Sequence, residues 1–356
     1  MAKSKLSVGL DIGTSSVKLC QLKETKGKYS LISFGMIALP PEAIVDGALM
    51  NSTAIVDAIQ ELFESQGVKN KEVSLSISGH SVILKKIPLP VMTPEELEES
   101  IQWEAEQYIP FDINDVHIDV HILNPHTEQG QMDVLLVAAK KDMINDYVSV
   151  VSEAGLEPVV MDVDALAAQN QFEMNYDLPV GETVCLIDIG AAVININVIS
   201  DRVSAFTRDI AMGGNQFTEE IQKQLNVSYD EAEELKIGGR DADDADSVVP
   251  QEVDRIIQEV SETLANEVQR SLDFYAATSA DAQITRIYLS GGVAKVQTVS
   301  RTIEARTGVP VEVIDPFRAV DITGRGLNQD FLRTVGPAAA VAVGLALRGA
   351  GDNIRG

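Results

Sequence analysis

Leu6-Ser7-Val8-Gly9-Leu10-Asp11-Ile12-Gly13-Thr14-Ser15-Ser16-Val17-Lys18-Leu19-Cys20-Gln21-Leu22 is an apolar run, an acid-glycine turn rich in hydroxyls, and a second apolar run. The pattern predicts a β-hairpin whose turn holds a metal-bound phosphate. Gly13 leaves room for a close backbone approach, and the amides and hydroxyls of Thr14, Ser15 and Ser16 supply donors. Asp11 is suited to hold a divalent cation, directly or through water, and Lys18 on the returning strand to reach a phosphate. The bland alternatives are an aspartate that caps its own turn and an edge-strand lysine turned to solvent.

Far downstream, Val184-Cys185-Leu186-Ile187-Asp188-Ile189-Gly190-Ala191-Ala192-Val193 repeats the apolar run, the Asp-Ile-Gly turn and the small residues. Two such hairpins imply duplicated halves closing on a phosphate chain from either side, with Asp188 a second candidate for the metal environment. A third segment, Ile287 to Lys295, reads as strand, Gly291-Gly292 turn and helix start, where a nucleotide can rest against backbone amides.

Composition narrows the field. A formal charge of −26 and a pI near 4.4 argue against nucleic-acid or anionic-lipid binding, which need clustered Lys and Arg. With 356 residues, 45% of them hydrophobic, the chain can bury a large core and is expected to form two domains. Cys20 and Cys185 lie in apolar strand-like runs and read as buried reduced thiols. The N-terminus lacks a signal-peptide apolar stretch, and Ala338–Leu347 is too short to span a bilayer and reads as a core helix. The tail 350–356 shows no membrane-binding amphipathic pattern, so a place at a membrane would require a protein partner.

Strands and helices alternate, the sign of α/β layers. A meander (Leu6–Leu10, Val17–Leu22, Leu31–Leu39) precedes a helix over Thr53–Gln66 and a strand over Val73–Ser78. Thr93, Pro94 and Glu96 form a helix-start signal with a capping box. That helix, strands at Val116–Leu123 and Val134–Ala139, and a helix over Lys141–Ala154 form an insertion. In the second half, strands at Val184–Ile189, Ile194–Ile199 and Val203–Asp209 precede helices Gln216–Leu225, Tyr229–Ile237 and Pro250–Ala277. The last carries an apolar stripe from Val253 to Leu272. The acidic loop 238–246 lacks the glycine and terminal glutamate of a calcium-binding EF-hand and reads as solvated.

Together the glycine turns make the chain resemble the actin-like ATPase superfamily, which spans actin, sugar kinases, heat-shock ATPases and FtsA. The resemblance implies that Asp11–Lys18 and Asp188–Val193 are the two phosphate loops and Ser290–Val293 the adenosine loop. It adds Gly213, Gly214 and Asn215 from Met212-Gly213-Gly214-Asn215, which precedes a helix as in FtsA and MreB. Glu231-Ala232-Glu233-Glu234-Leu235-Lys236 is similar to their Ala-Glu-x-x-Lys helix, so Glu233 and Lys236, one turn apart, fall near the ribose and base; a solvated surface ion pair is the other reading. Gly13, Thr14, Ser15, Ser16, Gly190, Ala191, Ala192, Gly291, Gly292 and Val293 complete the implied site, with ATP and magnesium as ligands.

Within the superfamily the chain resembles the PilM family of type IV pilus assembly. The resemblance rests on Gly9–Lys18, Met92-Thr93-Pro94-Glu95-Glu96-Leu97, Trp103-Glu104-Ala105-Glu106-Gln107-Tyr108-Ile109-Pro110-Phe111, Ala211–Thr218 and Leu289-Ser290-Gly291-Gly292. It implies an actin-like core with an FtsA-type insertion: 1–83 and 155–180 in the first domain, 84–154 inserted, 181–213 and 284–330 in the second core, 214–283 a helical insertion, and 331–356 a C-terminal helix returning to the first domain. It also implies a cytoplasmic place at the bacterial inner membrane and a groove for the N-terminal tail of the membrane protein PilN, with Ile87, Leu89, Ile109 and Phe111 as candidate contacts. Ordinary core packing is the other reading for Trp103, Tyr108, Ile109, Pro110 and Phe111. Other inner-membrane pilus components, motor ATPases and self-association are further expected partners. No residue in the sequence nominates a strong base, so slow ATP hydrolysis or none is expected. The alternatives are a polymerising FtsA-like division protein and a sugar- or acetate-kinase-like phosphotransferase.

Overall fold

The computed structural model describes residues 6–127, 129–179, 181–238, 251–279, 283–324 and 326–352; most of the acidic loop 238–246 and the last four residues of the tail lie outside them. Strands β1 (Val8–Ile12), β2 (Ser16–Thr25) and β3 (Lys28–Ala38) form an antiparallel meander. Lys26 (φ 53°) and Gly27 (φ 79°) turn the second hairpin in two left-handed residues, the conformation that matches strand twist. A small hairpin of β4 (Ile44–Val45) and β5 (Ala48–Leu49) leads to α1 (Ser52–Ser65), capped by the Asn51 side chain. Strands β6 (Glu72–Ile77) and β10 (Glu157–Val163) add parallel to β1, and β16 (Val320–Asp321) closes the far edge, giving the order β10-β6-β1-β2-β3-β16.

The second sheet repeats that plan. Strands β11 (Thr183–Ile189), β12 (Ile194–Ser200) and β13 (Val203–Ile210) form a meander, and β14 (Ile284–Ser290) and β15 (Val311–Val313) add parallel to β11. Read outward from each meander, both sheets run third, second and first strand, then two parallel ones. Helices α5 (Asn215–Leu225), α6 (Tyr229–Gly238), α7 (Gln251–Thr278) and α8 (Gln297–Thr307) attend this half. The α7 stripe from Val253 to Leu272 is buried as its spacing predicts, in one cluster with Ile187, Ile196 and Phe217.

Between β6 and β10 the chain leaves the first sheet for a three-stranded one, β7 (Val82–Pro90), β9 (Gln131–Lys140) and β8 (Val116–Asn124), in the order β7-β9-β8. Helix α2 (Pro94–Glu106) covers one face, starting with the predicted capping box: Glu96 N–H donates to Thr93 Oγ1 at 3.2 Å and Thr93 N–H to Glu96 Oε2 at 2.8 Å. Helix α3 (Lys141–Glu153), which the sequence groups with the insertion, buries Tyr147, Val150 and Val151 beside Ile55 and Ile59 of α1. Its packing lies with the first sheet.

Helix α4 (Asp164–Asn175) follows β10, and after α9 (Gln329–Val335) the short buried helix α10 (Ala340–Leu345) is wedged between it and β1. A Cβ on Gly9 would lie 2.2 Å from Ala342 O, and one on Gly344 1.8 Å from Ala167 O. Backbone meets backbone at both contacts, so no side chain can move aside. Gly344→Ala is expected to lower unfolding stability by roughly 1–3 kcal/mol or more, as overpacking does. Urea denaturation reads this; an unchanged midpoint would show that α10 can shift without loss.

Candidate functional site

Asp11, at the end of β1, faces Lys18 across the hairpin, and the Lys18 ammonium donates to Asp11 Oδ2 at 2.9 Å. The turn between them closes when Gly13 N–H donates to Ser16 O at 3.0 Å. The second half reproduces it: Asp188 faces Asn195, and Gly190 N–H donates to Val193 O at 2.9 Å. Only the partner differs, since Asn195 donates instead to Asp209 Oδ1 at 2.8 Å. Asp188 Oδ1 accepts from Ser290 Oγ at 2.6 Å, tying the second turn to the end of β14.

Two further glycine turns pack onto the second hairpin. Gly214 N–H donates to Gly190 O at 2.9 Å and Asn215 N–H to Ala191 O at 2.8 Å. A Cβ on Gly213 would sit 2.5 Å from Gly190 O, so only glycine permits this approach. Gly291 has φ 89°, and its Cβ would lie 2.2 Å from Ile189 O; Gly292 beside it is open. On α6, Lys236 pairs with Glu233 and donates to Thr218 Oγ1 at 2.8 Å, while Glu233 accepts from Thr218. This partly buried ion pair lines the same cleft as Gly214, Asn215, Gly292 and Val293, unlike a solvated surface pair.

All these loops border one cleft of about 1780 Å³. Two of its residues escaped the sequence reading. Asp164 opens α4, and its carboxyl is pushed up to about 7 by burial and by the charges of Asp11 and Asp188, against hydrogen bonds from Ser76 and Ser78. No motif in the sequence marks this carboxyl; its signal was the buried strand end Met161-Asp162-Val163 leading straight into a helix. Burial also raises Asp188, to about 6, with Asp11 adding to it and Ser290 and Lys18 opposing. Lys18 is held above its ordinary value because the charges of Asp11, Asp188 and Asp164 outweigh burial. Lys295, also missed, opens on the cleft; desolvation and then the Lys18 charge hold it below its ordinary value, which favours an anion between them.

Among the described residues no three His, Cys, Asp or Glu side chains converge to ligate an ion by themselves. Asp11 and Asp188 stand close enough for the charge of one to raise the other, just behind the Gly13 and Gly190 turns that line the cleft, and a magnesium ion there would complete its shell from water and ligand oxygens. The donor set fits that water-mediated form.

The candidate partner contacts fare differently. Ile87 (0% exposed), Leu89 (1%) and Ile109 (6%) are core of the three-stranded sheet, packed with Leu97, Ile101 and Val134 under α2. They present no surface, which corrects their assignment as contacts. Phe111 is partly buried, with the Lys140 ammonium 4.6 Å above its ring. Tyr108 and Pro110 wall the insertion end of the cleft with Leu84, Lys85 and Lys86, and Trp103 is 80% exposed. Both cysteines are buried, and burial pushes their thiols up, as inert reduced thiols require. No helix among the described residues is long and apolar enough to cross a membrane.

The profile of the type IV pilus assembly protein PilM matches residues 9–350. The solved structure of a PilM-PilN type IV pilus biogenesis complex is similar at a TM-score of 0.86 and 28% identity, covering 98% of this chain and 99% of that one. The ethanolamine utilization protein EutJ from Carboxydothermus hydrogenoformans shares the fold, with a TM-score of 0.58 at 17% identity over 96% of this chain and 89% of that one. Among curated proteins, the cell division protein FtsA of Streptococcus pneumoniae serotype 2 is 25% identical over 261 residues, 67% of this chain and 56% of that protein. FtsA of Enterococcus hirae is 26% identical over 359 residues, 89% of this chain and 79% of that protein. The chain thus spans little more than half the length of the S. pneumoniae relative, and of Bacillus subtilis FtsA it spans 58%. A profile match from Gly9 to Ala350, on an actin-like fold with duplicated Asp-Ile-Gly hairpins, makes this chain a member of the type IV pilus assembly protein PilM family.

Proposed function

We propose that the chain is an actin-like adaptor of type IV pilus assembly that binds ATP with magnesium between its two sheets and the N-terminal tail of PilN beside its insertion. One observation carries the nucleotide half: two matched Asp-Ile-Gly turns face one cleft, the second of them backed by Gly213 and Gly291, where no side chain fits. The likeness to a PilM-PilN complex over nearly the whole of both chains supports the peptide half. Such a protein would sit at the inner face of the inner membrane through its partner.

In this reading the Gly13–Ser16 and Gly190–Ala192 turns and Lys18 hold phosphates, and Asp11 and Asp188 hold magnesium through water. Gly213, Gly214, Asn215, Glu233 and Lys236 border the ribose and base, with Gly291–Val293 beneath. Magnesium would supply charge neutralisation of the phosphates. Asp164, titrating near neutrality, can accept a proton from water at its carboxylate. The same carboxyl would serve a phosphotransferase, which is the second reading. Rapid phosphate transfer to a sugar in a substrate screen would favour it over turnover well below the roughly 1–100 s⁻¹ of kinases.

Saturating ATP with magnesium should raise the melting temperature of the wild type; at a hundred times Kd the stabilisation is about 2.7 kcal/mol. Asp11→Ala and Asp188→Ala should each weaken magnesium-dependent binding in calorimetric titration while the fold persists. Identical titration curves for both variants and the wild type would remove the nucleotide reading.

Asp164 and Asp188 sit above the ordinary carboxylate value of 3.8 in the folded chain, so between about pH 4 and pH 7 the folded state binds more protons than the unfolded one. Their contribution is fully present below about pH 4 and lost as pH rises through 6 to 7. Ligand-free protein should therefore lose stability over that window, and Asp164→Asn should recover roughly 1–3 kcal/mol at pH 8. Urea midpoints across pH test this, and an unchanged pH slope in Asp164→Asn would refute it.

For the peptide half, Tyr108→Ala trims a ring on the rim of the insertion core and Lys86→Glu breaks its ion pair with Asp133, and both alter the cleft wall. Both should reduce capture of a PilN tail peptide while ATP binding persists. Full capture by both variants would place the tail elsewhere.

A further inference from the structure

The two ends of the cleft are joined by a short stretch of chain. Strand β6 ends at Ile77, and the hydroxyls of Ser76 and Ser78 reach Asp164 on the cleft floor. The next residue, Gly79, at φ 88°, donates its N–H to Asp209 Oδ2 at 2.6 Å. Its Cβ position is open, so the left-handed backbone, not space, calls for glycine here. Three residues on, β7 enters the insertion, and Leu84 O accepts from Thr207 Oγ1 at 2.6 Å.

Thr207 and Asp209 are alternate residues of β13, the edge strand of the second sheet. Asp209 is held from behind by Asn195, which stands opposite Asp188 in the β11–β12 ladder. A continuous path therefore runs from Asp188 through Asn195 and Asp209 to Gly79 and Ser78, and so to Asp164. The chain that Gly79 and Leu84 belong to goes on to supply Lys85, Lys86 and Pro88 to the insertion end of the cleft. Any rotation of one half against the other would have to carry the root of β7 along with β13 or break these two bonds.

We propose that the Asp209–Gly79 and Thr207–Leu84 hydrogen bonds are a strut through which nucleotide between the sheets tightens the binding of a peptide at the insertion end. The inference rests on the function proposed above. Closing the cleft around a nucleotide holds β13 against the root of β7, and the strut fixes β7 in the position that walls the groove. The coupling is reciprocal, so the peptide tightens the nucleotide by the same factor. Two bonds, one of them to a carboxylate, are enough for a coupling of roughly tenfold.

The test is a thermodynamic square with the full chain: affinity for a synthetic PilN tail peptide with and without magnesium ATP, and for ATP with and without the peptide. In the wild type each ligand is expected to tighten the other about tenfold. In Asp209→Ala and in Thr207→Val the ratio should fall toward one, while each ligand alone binds within about threefold of wild type. Asp209→Asn keeps an acceptor for Gly79 N–H and should retain most of the coupling. A wild-type ratio of one or below overturns the strut, as does a tenfold ratio that survives both Asp209→Ala and Thr207→Val. Should Asp209→Ala fold poorly, Thr207→Val alone decides. Failure of the wild type to bind ATP or peptide separately instead removes the function on which the strut rests.

Discussion

Three carboxyls, Asp11, Asp164 and Asp188, share one desolvated floor with a single paired ammonium, Lys18, and the architecture above it is arranged around that imbalance. Like charges brought together away from water repel, and the fold answers with specific donors: Lys18 on Asp11, Ser290 on Asp188, and Ser76 and Ser78 on Asp164. The donors come from three strand ends, Lys18 from β2, Ser76 and Ser78 from β6 and Ser290 from β14, so both sheets contribute to this floor. The glycines follow from the same demand. The turns at Gly213 and Gly291 lie on the backbone of the second hairpin, an approach that any Cβ would prevent.

Duplication is visible in the hydrogen bonds as well as in the strand order. The two Asp-x-Gly turns close with the same backbone bond three residues on, yet the residue opposite the aspartate is Lys18 in one half and Asn195 in the other. One copy thus keeps its cation in the cleft. The other turns its amide outward to Asp209, on the side where the second sheet meets the insertion.

The sequence disclosed what local periodicity and turn chemistry encode. The hairpins, the α7 stripe and the capping box at Thr93 and Glu96 stand where apolar spacing and turn residues predict them. Asp164 stayed hidden because its neighbours on the cleft floor are distant in sequence and no spacing rule joins them. Ile87, Leu89 and Ile109 were legible as apolar but not as inward-facing. Which face of an inserted strand is covered depends on where α2 lies down, a tertiary outcome. The motif Trp103–Phe111 is divided among three environments: Ala105 and Ile109 in the core, Tyr108 and Pro110 on the cleft wall, Trp103 in solvent. Helix α3 joined the first sheet for the same reason, since its apolar face could serve either neighbour and α1 was there to receive it.

The contacts of Gly9 and Gly344 bear on the order in which the molecule can be made. Strand β1 is synthesised well before α10, the helix packed on it, which follows more than three hundred residues later, and Leu6 bridges to Gly349. Closing so long a loop is entropically unfavourable and slow. During translation the first sheet must wait, with part of one face uncovered, until α10 leaves the ribosome, whereas the second sheet finds α5 to α8 close in sequence. The later half is therefore placed to consolidate first, and the nascent first half is the part that depends on protection from aggregation.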